Sequence, residues 1–153
     1  MALYVATASN VAHTGSSADK TILQLITTTT DRIEVVEFGV TFDGVTATNV
    51  PVEVRLQRQS TAGTTPVALS TNYDVNALDT VSPAASTTAK KGIWATEPTM
   101  GNIVWAAKVP PTSGIVVQKP LGQEFKVPVS DRIAIVVNAA NAVNVWAYII
   151  WNE

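Results

Sequence analysis

The chain of 153 residues contains no cysteine and one histidine, His13. Disulfides and thiolate–metal sites are therefore excluded. A zinc site would have to rest mostly on carboxylates, and a Ser-His-Asp triad would have to use His13. That histidine lies in VAHTGSSAD (residues 11–19), a run of small and polar residues that reads as a loop or extended arm. Its ring is expected to be solvated. Charge is sparse as well: 10 Lys and Arg stand against 12 Asp and Glu, a net −2, and charged residues make up 14% of the chain. A basic footprint for nucleic acid is missing. No run approaches the roughly 18 apolar residues of a membrane-spanning helix. The start, MALYVATA, has neither the basic residues nor the apolar length of a secretion signal. The expectation is a soluble chain made without a cleaved leader. The eight glycines are isolated, so no glycine-rich phosphate cradle is present.

Helical periodicity is the last absence. No window repeats apolar residues at i, i+3, i+4 and i+7 between caps. What is there is Val, Ile and Thr, which suit a pleated and half-buried surface. Residues 3–7, 20–27, 32–42, 50–58, 93–95, 102–109, 115–119, 124–129, 132–138 and 143–151 read as strands. Residues 50–58 alternate most cleanly. Val50, Val52, Val54 and Leu56 point one way, and Glu53, Arg55 and Gln57 the other, as in an antiparallel strand with one wet face. In residues 32–42 the apolar phase switches at Val35-Val36. One extra residue, a β-bulge, produces such a switch, and so does burial on both faces.

Short strands, frequent turns and no helices predict an all-β fold. The expected architecture is a single-domain antiparallel β-sandwich over residues 1–153, jelly-roll-like. An immunoglobulin-like sandwich or another β-barrel is the alternative. An N-terminal arm of about residues 1–19 and a long loop of about residues 70–91 are expected outside the sandwich. The chain is expected to close with a hairpin, residues 132–138 and 143–151 turning through Asn138 to Asn141.

Candidate chemistry is thin. Glu34, Glu37 and Glu53 fall on expected strands, and a paired acid and base can be imagined among them. Glu34 beside Arg32 and Glu53 beside Arg55 are more simply surface charge pairs. Thr30-Asp31-Arg32-Ile33 echoes Ser130-Asp131-Arg132-Ile133. Each reads as a turn in which Asp bonds the backbone, Arg snorkels and Ile enters the sheet. No catalytic residue, metal or cofactor is expected. The aromatics are more informative. On the final strand Trp146, Tyr148 and Ile150 share one face, and Val145, Ala147, Ile149 and Trp151 share the other. Both faces are apolar, so either the long loop or another subunit must cover the outer one. The candidate interface residues are Trp146, Tyr148, Ile150 and Trp151, with Tyr73 from the long loop.

Four stretches, TDRIEVVEFGVTFDG, PVEVRLQRQSTAGT, PLGQEF and DRIAIVVNAANAVNVWAYIIWNE, resemble a group of small proteins encoded among bacteriophage structural genes. That resemblance implies a capsid decoration, or cement, protein. Its partners would be the major capsid protein of a phage head and further copies of itself, as a trimer or dimer. It would be made in the bacterial cytoplasm and sit on the virion exterior, with no direct contact to nucleic acid or membrane. The competing reading is a carbohydrate- or receptor-binding module of a phage fibre or tail, with tryptophan as a stacking platform.

Overall fold

The computed structural model describes residues 2–43, 49–69 and 74–153. Among them are twelve strands in two antiparallel six-stranded sheets and no helix. The sheets pack face to face as a sandwich and do not close into a barrel. The pairing is nested. β1 (Leu3–His13) lies against β12 (Val143–Asn152), and β2 (Asp19–Ile26) against β11 (Arg132–Asn138). β3 (Ile33–Asp43) lies against β9 (Ile115–Gln118) and β10 (Phe125–Val127), and β4 (Val52–Gln59) against β8 (Met100–Val109). The chain is thus a long antiparallel ribbon folded at its middle and rolled into two layers, which is the jelly-roll arrangement. The first sheet carries β3, β12 and β1 in its interior, and the second carries β2, β11 and β4 with a short strand beyond β2.

The core lies between the sheets. Ile33, Val35, Phe38 and Val40 of β3 meet Leu23 and Leu25 of β2, Leu56 of β4, and Ile133 and Ile135 of β11, all fully buried. Phe38 also stands edge-on to Trp105, with ring centres 5.1 Å apart. The apolar phase switch in β3 is a bulge. Ile150 pairs with Glu37, but Trp151 pairs with Val35, which leaves Val36 as the extra residue.

Three expectations are corrected. The N-terminal segment is not an arm: the strand expected at residues 3–7 is there but continues to His13 as β1, an interior strand of the first sheet. Its inward positions include Ala6 and Ala8, whose small side chains give little apolar signal, and a bulge at Ser9-Asn10 breaks the alternation. Residues 70–91 are not one loop. β6 (Val75–Ala77) extends the first sheet beside β1, and β7 (Thr88–Lys91) extends the second beside β2. The terminal hairpin does not form. β11 belongs to the second sheet and β12 to the first, and residues 139–142 cross between them. Both edges of β11 are taken by β2 and β4, and both edges of β12 by β1 and β3. A hairpin would leave two of these strands unpaired.

The crossing packs against the neighbouring crossing between β1 and β2. Ser17 N–H donates to Ala139 O at 3.1 Å. Gly15 has φ +84°, and a Cβ there would sit 2.9 Å from Ala140 O. His13 closes the same turn. Gly15 N–H donates to its Nδ1, and its Nε2 lies 3.0 Å from Ala18 O, which fixes the Nε2–H tautomer. The ring is 1% exposed, not solvated, because the last inward position of β1 falls on it.

The second sheet is covered by its own chain. Ala134 and Val136 point away from the core yet are fully buried. Residues 60–66 and 92–99 lie over this face, the latter including residues 93–95, which were expected as a strand. Trp94 is its anchor: it packs on Gly63 and donates its indole N–H to Ala62 O at 2.9 Å. Beneath it, Gln24 Nε2 donates to Gln59 Oε1 at 2.6 Å, and Gln59 Nε2 donates to Thr21 Oγ1 at 2.8 Å. Glu97 accepts the N–H of Thr21 at 3.0 Å.

The two Asp-Arg-Ile turns start β3 and β11, and both isoleucines enter the core. Asp31 accepts hydroxyl bonds from Ser86, Thr30 and Thr28, which hold its carboxyl below the ordinary range. Ser86 also donates its N–H to Glu153 Oε1, and its single hydroxyl proton is shared between that oxygen and Asp31. Burial pushes the Glu153 carboxyl up, but bonds from Ser86, Trp151 and Thr87 outweigh it, and the net direction is down. A carboxylate lowered in the folded state adds stability above its unfolded value, and that stability is lost as pH falls through the folded one. Two outcomes follow. Ser86→Ala should shift acid unfolding, followed by circular dichroism, to higher pH than in the parent. Phe38→Ala should cost about 3–5 kcal/mol in denaturant unfolding, the ordinary penalty for emptying a packed aromatic site.

Candidate binding face on the first sheet

β12 carries the expected two-faced pattern. Val143, Val145, Ala147, Ile149 and Trp151 point into the core. Trp146, Tyr148 and Ile150 point outward and are brought together on the outer face of the first sheet. Among the described residues of the segment expected as a long loop, β6 lies at the edge of the first sheet beside β1 and β7 lies in the second sheet between β5 and β2. Trp146 is 44% exposed, and Val116 of β9, two strands away, is 59% exposed.

The geometry around Trp146 follows from two backbone features. On one side its β3 partner is Thr41. On the other, β1 is bulged: Ala8 pairs with Ala147 and Val11 with Val145, so Ser9 and Asn10 together oppose Trp146. Asn10 takes a left-handed conformation, φ 53°, which asparagine tolerates better than most residues. The indole therefore has no single side chain squarely opposite it on that strand.

Tyr148 is positioned by what its neighbour lacks. It pairs with Gly39, and a Cβ at Gly39 would lie 2.3 Å from Tyr148 Cε1. The ring therefore lies down across β3, and its hydroxyl donates to Glu37 Oε1 at 2.6 Å. Burial, that hydrogen bond and the charge of Glu37 push the phenol up to about 12. Thr7, Gly39, Thr41, Val116, Trp146 and Tyr148 surround a shallow depression of ≈ 190 Å³. The face is apolar at its centre and carries hydroxyls at its rim.

Two of the candidate residues are not on this face. Trp151 is fully buried, stacked on Tyr4 with ring centres 5.8 Å apart, and its indole N–H donates to Glu153 Oε2 at 3.2 Å. It cannot meet a partner, because the alternation of β12 turns it inward. Tyr73 lies outside the described residues. Gly39, Glu37, Thr7, Thr41 and Val116 were not assigned to the face from sequence. One signal was available: a glycine inside a strand often marks a close approach.

The carboxylates weighed for acid–base chemistry are dispersed. Glu53 binds Arg55 at 2.6 Å, and Arg55 also binds Asp19 at 2.7 Å. Glu34 faces Lys126 at 4.0 Å, not Arg32. Glu37 holds Tyr148. Among the described residues no three His, Cys, Asp or Glu side chains are grouped as metal ligands. The chain matches no protein-family model, no curated protein and no solved structure in the comparisons made.

Gly39→Ala should lift the Tyr148 ring from β3 and break its bond to Glu37. A near-ultraviolet absorbance titration should then show one phenol moving from about 12 toward the ordinary value of about 10. The raised phenol favours the folded state below the unfolded value. In the parent this contribution fades as pH rises from about 10 to about 12, and in the variant that dependence should vanish.

Proposed function

We propose that the protein is a structural component of a bacteriophage virion, a head decoration protein that binds the outside of the capsid as a small oligomer and stabilises it. The observation that carries this reading is the contrast between the two outer faces. The chain covers the second sheet with its own residues 60–66 and 92–99 and leaves Trp146 of the first sheet open. A cement protein needs a rigid scaffold with a fixed apolar patch that can meet many equivalent sites on a shell. Trp146 and the clamped Tyr148 supply such a patch, with the threonine hydroxyls around it available to backbone groups of the shell. Low charge suits close contact over electrostatic steering. The resemblance of the four sequence stretches to phage structural proteins supports the same assignment, and the dispersed carboxylates fit a protein without catalysis.

Trp146 next to an open depression also favours a second reading, a glycan-binding module in which the indole stacks on a sugar ring. One pair of measurements separates the two. In co-sedimentation with undecorated heads of the parent phage, the protein should pellet with the heads and raise their melting temperature. Trp146→Glu should abolish both effects while leaving the circular dichroism spectrum unchanged. Failure of the parent protein to bind heads, together with quenching of Trp146 fluorescence by an oligosaccharide, would overturn the decoration reading in favour of the glycan one.

A further inference from the structure

A sandwich of two open sheets has lateral edges, and each edge strand presents unpaired backbone N–H and C=O groups to any strand that meets it. Most of the edges here are blunted by brevity. β5 (Val67–Ala68) has two residues and β6 has three. The edge beyond β3 is divided between β9, with four residues, and β10, with three. β8 is the exception. It runs for ten residues, pairs with β4 on one side, and among the described residues has no strand on the other. It contains no proline and a single charge, Lys108. Its first half is irregular, with the register against β4 slipping on both sides of Gln57. Its second half is regular, from Trp105 opposite Leu56 to Val109 opposite Val52.

We infer that β8 is the self-association edge of the protein. A second copy lays its own β8 antiparallel against it about a two-fold axis, continuing the second sheet from six strands to twelve. Length selects the occupant. An edge-to-edge joint needs two open edges that can run a ladder: the side of β1 left free beyond β6, residues 8–13, is broken by the bulge at Ser9-Asn10, and β8 is the longest described edge with no strand along its whole free side. Two identical antiparallel strands close on themselves, so the result is a dimer and not a filament.

Side chains then select the register. With the axis through Ala106, Trp105 stands across from Ala107 of the second copy on the inner face, and Ala107 across from its Trp105. Large meets small at both points. On the outer face Ala106 meets Ala106, and Lys108 lies beyond the regular pairs, at the level of Val104, the extra residue where the β8 register slips. The two ammonium groups sit about 13 Å apart along the strands. Moving the axis to Ala107 sets Trp105 against the larger Val109, and moving it to Lys108 brings like charges opposite one another, which is unfavourable. Trp105 is already held edge-on against Phe38, so little side-chain freedom is lost when its remaining exposed surface is covered.

The inference does not draw on the virion reading, and the two fail independently. The absence of native cysteine makes a clean test possible. The parent protein should sediment as a dimer, and Ala106→Lys, at an exposed position, should sediment as a monomer with an unchanged circular dichroism spectrum. Ala106→Cys should form a disulfide-linked dimer under mild oxidation, and Lys108→Cys should not. Trp146→Glu should leave the dimer intact. A parent protein that stays monomeric at its highest soluble concentration overturns the inference. So does a dimer indifferent to Ala106→Lys, or cross-linking through Lys108→Cys in preference to Ala106→Cys.

Discussion

Every interior strand of a sheet must find partners for its backbone amides and carbonyls on both edges, and in this molecule that requirement decides the topology. β11 fills the gap between β2 and β4, and β12 fills the gap between β1 and β3. The consecutive strands β11 and β12 are drawn apart into different sheets because each is needed elsewhere. The crossings between sheets, the glycine at position 15 and the buried imidazole of His13 all serve that separation. The histidine, on which any Ser-His-Asp triad would have had to rest, holds a turn with both of its ring nitrogens.

The same requirement leaves the two outer faces unequal. The second sheet spends two loops on its own cover, and the buried glutamines there are tied to one another and to Thr21. Their hydrogen bonds fix how the cover sits. In the first sheet β6 extends the edge beside β1, and Trp146 on its outer face remains exposed. A rigid indole beside a clamped tyrosine is costly to leave wet only by the apolar area it exposes, and a partner surface recovers that area without any rearrangement of the chain.

Much of the architecture was legible in the sequence. The clean alternation of β4 and the phase switch in β3 were both read from apolar spacing. So was the division of β12 into an inward and an outward row. The elements that were missed share a cause. β1 was read only to Thr7, because it buries alanines and carries a two-residue bulge beyond that point, so its period is both faint and interrupted. β6 and β7 are three and four residues long, too short to show any period at all. The separation of β11 from β12 was invisible because both are apolar on both faces, and only the partners of each strand reveal the sheet to which it belongs. On the candidate face, Trp146, Tyr148 and Ile150 came from simple alternation. Trp151 was wrongly added to them from its size, against the parity of its own strand.

The ladder between β1 and β12 has a consequence for the order in which the molecule can be made. Leu3 pairs with Asn152, so β1, made before every other strand of the sandwich, waits for β12, made after all of them, before its ladder can close. Until then β1 is an apolar strand without its main partner, in a fold whose contacts are dominated by distant residues, and such folds assemble slowly. The innermost pair, β4 with β8, is free to form far earlier. Assembly can then proceed outward, through β3 and β2, to the ends. The alanines and the bulge that hid β1 from the hydropathy pattern also make it a poor template for a wrong neighbour during that wait.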